Sequence, residues 1–209
     1  MARTVGSSGE RTHAEIRRVA RKLIRQQGFD AMSVRQLADE VGIQSGALYR
    51  YIGSKQALLG DVMVTHIQSL LDEWLGVADN SPNDPIGALK YFAQFHIRYH
   101  AARVDDTFLF YREVRSLAPK DAETVRDIRR RYEECLKEVI QSGIDQGVFP
   151  KQDIKLTRMA IFGLLASVYT WFDEDGETSL DEVCAFCANW SVSMALTPQK
   201  IQSSHQLSA

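Results

Sequence analysis

The stretch Ser33-Val34-Arg35-Gln36-Leu37-Ala38-Asp39-Glu40-Val41-Gly42-Ile43-Gln44-Ser45-Gly46-Ala47-Leu48-Tyr49-Arg50-Tyr51 decides the fold of this chain. Ser33 and Gln36 have the spacing at which a hydroxyl caps a helix start and an amide reaches back to it. Val34, Leu37, Ala38 and Val41 then repeat at i, i+3, i+4 and i+7, which predicts a helix of about two turns. Gly42 ends it. After Ile43, Gln44 and Ser45, residues Gly46 to Tyr51 predict another short helix, so the stretch reads as a helix-turn-helix.

Upstream, Ile16, Val19, Ala20, Leu23 and Ile24 form the apolar stripe of a first helix. Arg17, Arg18, Arg21, Lys22 and Arg25 fill its other faces, Gly28 stops it, and Phe29 packs back on the stripe. Downstream, Ser54 caps a long fourth helix carrying Leu58, Leu59, Val62, Ile67, Leu70 and Trp74. The breaker-rich segment Asp79-Asn80-Ser81-Pro82-Asn83-Asp84-Pro85 ends it, and five more helices are predicted at 86–101, 105–117, 121–146, 154–172 and 179–196. The expected fold is all-α, about nine helices, with a three-helix DNA-binding domain ahead of a larger helical domain. The expected boundaries are a flexible basic arm at 1–11, the helix-turn-helix domain at 12–56, the larger domain at 57–196 and a polar tail at 197–209.

With 209 residues, 44% of them hydrophobic, the chain can bury a real core, which excludes a peptide hormone or a disulfide-stapled miniprotein. The longest nearly apolar run, Met159 to Phe172, is short of the roughly 20 residues that span a bilayer, so no membrane partner is expected. No secretory signal is visible, and Cys135, Cys184 and Cys187 read as reduced thiols in a cytoplasmic protein. The Cys184/Cys187 pair lies inside a helical stripe and reads as core. Net charge is −2, but residues 1–56 hold ten Lys/Arg against five Asp/Glu, which suggests a polyanion-binding module on a body that needs no such partner.

The run from Gly28 to Leu59 resembles the DNA-binding signature of the TetR family of bacterial transcriptional regulators. Gly28-Phe29, Ala38, Gly42, Gly46, Leu48-Tyr49 and Ser54-Lys55 fall in order without a gap. With the first-helix stripe, the resemblance covers residues 12 to about 60; beyond that only the layout matches. There are three departures. Gln44 stands where the family has a small hydroxyl residue, which shifts the expected cap to Ser45. Tyr51-Ile52 replaces His-Phe, and Arg17 and Arg21 make the first helix unusually basic.

The resemblance implies phosphate contacts from Ser33, Tyr49, Tyr51, Ser54 and Lys55. Base readers would come from the start of the third helix: Gln44 suits adenine, Arg50 guanine and Ala47 a thymine methyl, with Ser45 beside them. It also implies a homodimer on a palindromic double-stranded DNA operator, with the last two helices pairing between copies. Phe162, Leu165, Tyr169, Val183, Cys187, Trp190 and Met194 are the expected interface residues. Phe92, Phe95, His96, Tyr99, Phe108, Tyr111 and Arg112 suit either a pocket for an apolar small-molecule effector or an ordinary core.

His96 and His100 have the i, i+4 spacing that can begin a metal site, but no third ligand is evident. No cofactor or metal is expected. The layout is similar to family members that regulate acyl-CoA catabolism, so an acyl-CoA is one expected effector and a flat aromatic drug is another. No nucleophile–base motif or nucleotide cradle is present, which argues against an enzyme. A helical adaptor without DNA binding would leave Tyr49, Lys55 and the first-helix charges unexplained.

Overall fold

The computed structural model describes residues 5–197, and the described residues form helices and turns with no strand. Among the described residues nine α-helices follow in order: α1 (Val5–Gln27), α2 (Val34–Val41), α3 (Ser45–Ile52), α4 (Lys55–Val77), α5 (Pro85–Ala101), α6 (Val104–Glu113), α7 (Pro119–Asp145), α8 (Ile154–Ser167) and α9 (Leu180–Leu196). Short 3-10 turns extend α6 and α8 over Val114–Ser116 and Val168–Thr170. The expected arm is corrected, because α1 begins at Val5 and residues 5–11 are helical. Their Gly and Ser residues disfavour helix, Gly by about 1 kcal/mol each, but lengthening a helix that already exists costs less than starting one. Residues 1–4 of the arm and 198–209 of the tail lie outside the described residues.

By contacts the chain divides into two units. The first contains residues up to Glu73 together with His100–Arg130, and the second contains Trp74–Tyr99 together with Arg131 onward. The boundary expected between 56 and 57 therefore falls inside α4, which runs unbroken through it. The reason is non-local: α6, distant in sequence, packs on α1 within the first unit.

The core of the first unit is the predicted stripe of α1 (Ile16, Val19, Ala20, Leu23, Ile24) with Leu37, Ala38, Leu48, Ile52, Leu58, Leu59 and Met63. Gly42 ends α2 at φ 77°, and its N–H reaches back to the carbonyls of Ala38 and Asp39. An L side chain is strained in this left-handed conformation, so the glycine fixes the angle at which α3 leaves α2.

The second unit buries Leu89, Phe92, Ala93 and Ile97 of α5 with Tyr132, Leu136 and Ile140 of α7, Ile161 and Leu165 of α8, and Val183, Cys184, Cys187, Ala188 and Val192 of α9. The Cys184 and Cys187 thiols are free, and burial pushes both upward in pKa. Such thiols act as small apolar groups rather than as a redox pair.

Candidate nucleic-acid interface

The reading head is built by three caps and one buried pair. Ser33 Oγ accepts the Gln36 N–H at 3.0 Å and starts α2, and Ser54 Oγ accepts the Ala57 N–H at 3.0 Å and starts α4. The cap of α3 is Gln44, whose extended backbone carries no side-chain cap bond, and Ser45 is the first helical residue. The expected shift of the cap to Ser45 is thus corrected. Gln44 is exposed, and its amide is not engaged in capping.

Leu48 and Ile52, one turn apart, are 0% and 6% exposed and hold α3 against the core. The other faces of the helix then turn outward. Gly46 and Arg50 are exposed, Ser45 and Ala47 are half-buried, and the Tyr49 and Tyr51 rings are 48% and 38% exposed. An aromatic ring with a hydroxyl, held in solvent on a short helix, is placed to donate to a phosphate oxygen. Lys55 is half-buried. Its Nζ donates to the Asp30 carbonyl at 3.0 Å and lies 4.5 Å from the centre of the Phe29 ring.

The cations of α1 are arranged differently from what composition suggested. Arg17 lies 3.5 Å from Asp61, Arg18 2.6 Å from Glu15, Arg21 3.2 Å from Asp106, Lys22 3.5 Å from Glu40 and Arg25 2.5 Å from Asp105. Positive charge attributed to a polyanion partner is largely neutralised within the unit. Most of the partners come from α2, α4 and α6, which is why charge counting along the chain did not see them. Arg35, the second residue of α2, is an exposed cation two residues after the Ser33 cap. Within the sequence it looks like an ordinary solvated helix position, so nothing local marked it.

Behind the head, His66 is buried, its ring 5.5 Å from His100 and 5.6 Å from Phe110. Burial, with Arg103 and Arg21 nearby, lowers its pKa to about 4. Burial raises the Asp106 carboxyl above its ordinary range, while Arg21 opposes that shift.

The residues expected to share an effector pocket do not fall in one unit. Phe92, Phe95, His96 and Tyr99 belong to the second, and Phe108, Tyr111 and Arg112 to the first. In the second unit Phe92 stacks on Tyr132 at 5.2 Å and meets Trp74 edge-on at 4.7 Å. Phe95 lies 5.3 Å from Trp74 and 6.1 Å from Tyr99. His96 Nδ1 and the Tyr132 hydroxyl are 3.2 Å apart. In the first unit the Phe108 ring carries the guanidinium groups of Arg112 at 5.2 Å and Arg25 at 5.9 Å, and Tyr111 lies 6.0 Å from His100. His100 Nδ1 and the Thr107 hydroxyl are 3.0 Å apart, so the two histidines at i, i+4 serve different surroundings.

The interface residues are also revised. Leu165, Val183 and Cys187 are 2% exposed or less and belong to the subunit's own core. Phe162 joins the aromatic group, its ring 5.9 Å from Phe92 and from Tyr132. Tyr169 and Met194 are half-buried, while Trp190 is 51% exposed. The face actually left open carries Leu156, Met159, Ala160 and Gly163 of α8 and Ala185, Phe186, Trp190 and Leu196 of α9. Both helices are apolar nearly all round, so periodicity alone could not say which face turns in.

Residues 16–62 match the family of bacterial regulatory proteins named for tetR, and residues 82–195 match the tetracyclin repressor-like C-terminal domain. The chain belongs to the TetR family. It is a transcriptional regulator and not an enzyme. The chain is 25% identical over 188 residues to the HTH-type transcriptional repressor KstR2 of Mycobacterium tuberculosis, covering 88% of this chain and 92% of that one. Among solved structures, the TetR-family regulator PfmR of Thermus thermophilus superposes with a TM-score of 0.75 at 26% identity, covering 86% of this chain and 96% of PfmR. AibR, solved in complex with isovaleryl coenzyme A and operator DNA, superposes at 0.76 over 90% of this chain and 100% of its own; at 19% identity that likeness shows the fold. Among the described residues, no helix is long and apolar enough to cross a membrane.

Proposed function

We propose that this TetR-family regulator is a repressor that occupies a palindromic operator as a homodimer and leaves it when an apolar effector, an acyl-CoA thioester, binds the larger helical domain. The observation that carries the reading is the outward face of α3, where Gln44, Arg50, Tyr49 and Tyr51 stand in solvent on a helix pinned from behind by Leu48 and Ile52. Gln44, Ser45, Ala47 and Arg50 read base edges; Ser33, Tyr49, Tyr51, Ser54 and Lys55, with Arg35, position the head on phosphates. The open α8/α9 face, with Phe186 59%, Met159 58% and Trp190 51% exposed, supports pairing with a second copy.

The effector reading is supported by the aromatic group around Phe92, His96, Tyr132 and Phe162, and by the likeness in fold to AibR, whose complex holds isovaleryl coenzyme A. The test begins with selection of preferred sites from random duplex DNA. The selected complex is then titrated with short-chain, branched-chain and steroid-derived acyl-CoAs and with free aromatic acids. Release by one acyl-CoA at concentrations that saturate the free protein supports the reading. Linkage adds a check, since that compound must bind the DNA-bound protein more weakly by the same factor. If no acyl-CoA releases the DNA, the effector assignment fails and the DNA-binding assignment stands.

A further inference from the structure

We propose that α6 sets the orientation of the reading head through three carboxylates, with Glu113 as the positioning residue at the turn that leads into α2. This rests on the reading of the protein as a dimer that spans two half-sites, and it names what fixes the head within each protomer.

At one end of α6, Asp105 pairs with Arg25 and Asp106 with Arg21. The two arginines lie one turn apart on α1, and the two aspartates are neighbours, so the pairs define a register between the helices. At the other end, Glu113 Oε1 accepts the backbone N–H of Phe29 at 3.2 Å, and Oε2 accepts the Ser116 hydroxyl at 3.0 Å. Phe29 follows Gly28, whose φ of 83° turns the chain out of α1 toward the helix-turn-helix.

A backbone donor has no rotamer to escape into. A carboxylate bound to it therefore fixes the path of the main chain, which a surface ion pair between two long side chains does not. The turn is held from α4 as well, by the Lys55 ammonium on the Asp30 carbonyl and over the Phe29 ring. The Gln56 amide, in turn, donates to the Ser116 carbonyl beside Glu113. Residues 28–30, where the reading head joins its support, are thus gripped by one anion from α6 and one cation from α4. Movement of α6 along α1 strains both ends of this arrangement together.

The effect should appear in geometry and not in base recognition. Duplexes carrying two copies of the selected half-site, separated by the preferred spacing and by one or two base pairs more or fewer, are titrated with the wild-type protein and with Glu113→Ala, Glu113→Gln and Glu113→Asp. Wild type favours one spacing. Glu113→Ala is expected to shrink that preference by roughly tenfold while discrimination among bases within a half-site stays the same. Glu113→Gln keeps an oxygen for the Phe29 N–H and restores the preference, which a general loss of stability would not do. Glu113→Asp keeps the charge but falls short of the turn and behaves like Glu113→Ala; it also serves as the reading if the alanine variant does not fold. Spacing ratios equal to wild type in both Glu113→Ala and Glu113→Asp overturn the inference alone. A wild-type protein that binds no DNA, or binds half-sites without regard to spacing, overturns the two-half-site reading and the inference with it.

Discussion

Helices α1 and α9 each carry a surplus on their surface, and the two surpluses meet different fates. On α1 the surplus is charge: Arg17, Arg18, Arg21, Lys22 and Arg25 all find an acid within the same unit. On α9 the surplus is apolar area. Val183, Cys184, Cys187 and Ala188 are covered by their own unit, while Phe186 and Trp190 remain 59% and 51% exposed. What a helix carries matters less than what is left over after the fold has used it. The remainder is what stays available to a partner: apolar for α9, where Phe186 and Trp190 face solvent, and polar for α3, where Gln44, Arg50 and two tyrosines do.

The largest expected effects test the two sides of α9 and its neighbour α8. Leu165→Ala removes a buried side chain and should lower folding stability by about 2–5 kcal/mol, read by thermal or denaturant unfolding. Phe186→Glu with Trp190→Glu places charge on the open face instead. Each substitution should weaken self-association by about 2 kcal/mol or more, read by sedimentation, with little change in helix content. Unchanged self-association in the double variant would break the comparison, because the exposed face of α9 would then have no partner in a second copy.

The next effect lies in pH, within the first unit. His66 titrates at about 4 when folded and near 6.5 when unfolded, so between those values the unfolded chain binds the proton and the folded one does not. Stability therefore falls as pH drops from about 6.5 to 4, by about 3 kcal/mol in total. Burial raises Asp106, which works in the opposite sense because its protonation favours the folded state. Arg21, Arg103 and His100 are charged or titratable neighbours of His66. Denaturant midpoints measured across this range should show the fall in wild type and a flatter profile in His66→Gln. Equal slopes in the two proteins would assign the acid sensitivity elsewhere.

The parts of the molecule that were legible in the sequence are those set by local chemistry. The Ser33 cap on the Gln36 N–H and the Gly28 and Gly42 stops lie within a few residues of the helix ends they mark; only the Gln36 side chain departs, accepting from the Gln27 amide instead of reaching back to close the capping box. What was not legible depends on partners far along the chain. Asp105 and Asp106 neutralise Arg25 and Arg21 across about eighty residues, Glu113 reaches Phe29 across a similar gap, and Phe162 turns inward to Tyr132. The nearly continuous apolar run Met159 to Phe172 gives no periodic clue to which residues are covered. Phe108 and Tyr111 likewise share with Phe92 an aromatic composition and a stretch of chain, but not a unit.

The smallest expected effects separate engaged cations from open ones on DNA. Arg50→Ala and Gln44→Ala should each cost about 1–3 kcal/mol at the base pair they contact and relax the preference there. Arg35→Ala should weaken binding evenly across sequences and lower the salt slope by about 1. Arg18→Ala, whose guanidinium is already bound to Glu15 by two hydrogen bonds, should change neither affinity nor salt slope. The four variants are compared by anisotropy titration of selected and scrambled duplexes at several salt concentrations. The contrast matters more than any one value, because simple attraction between a basic N-terminal quarter and a polyanion predicts that Arg18 and Arg35 behave alike. If they do, the partners found for α1 within the fold do not decide which charges meet DNA.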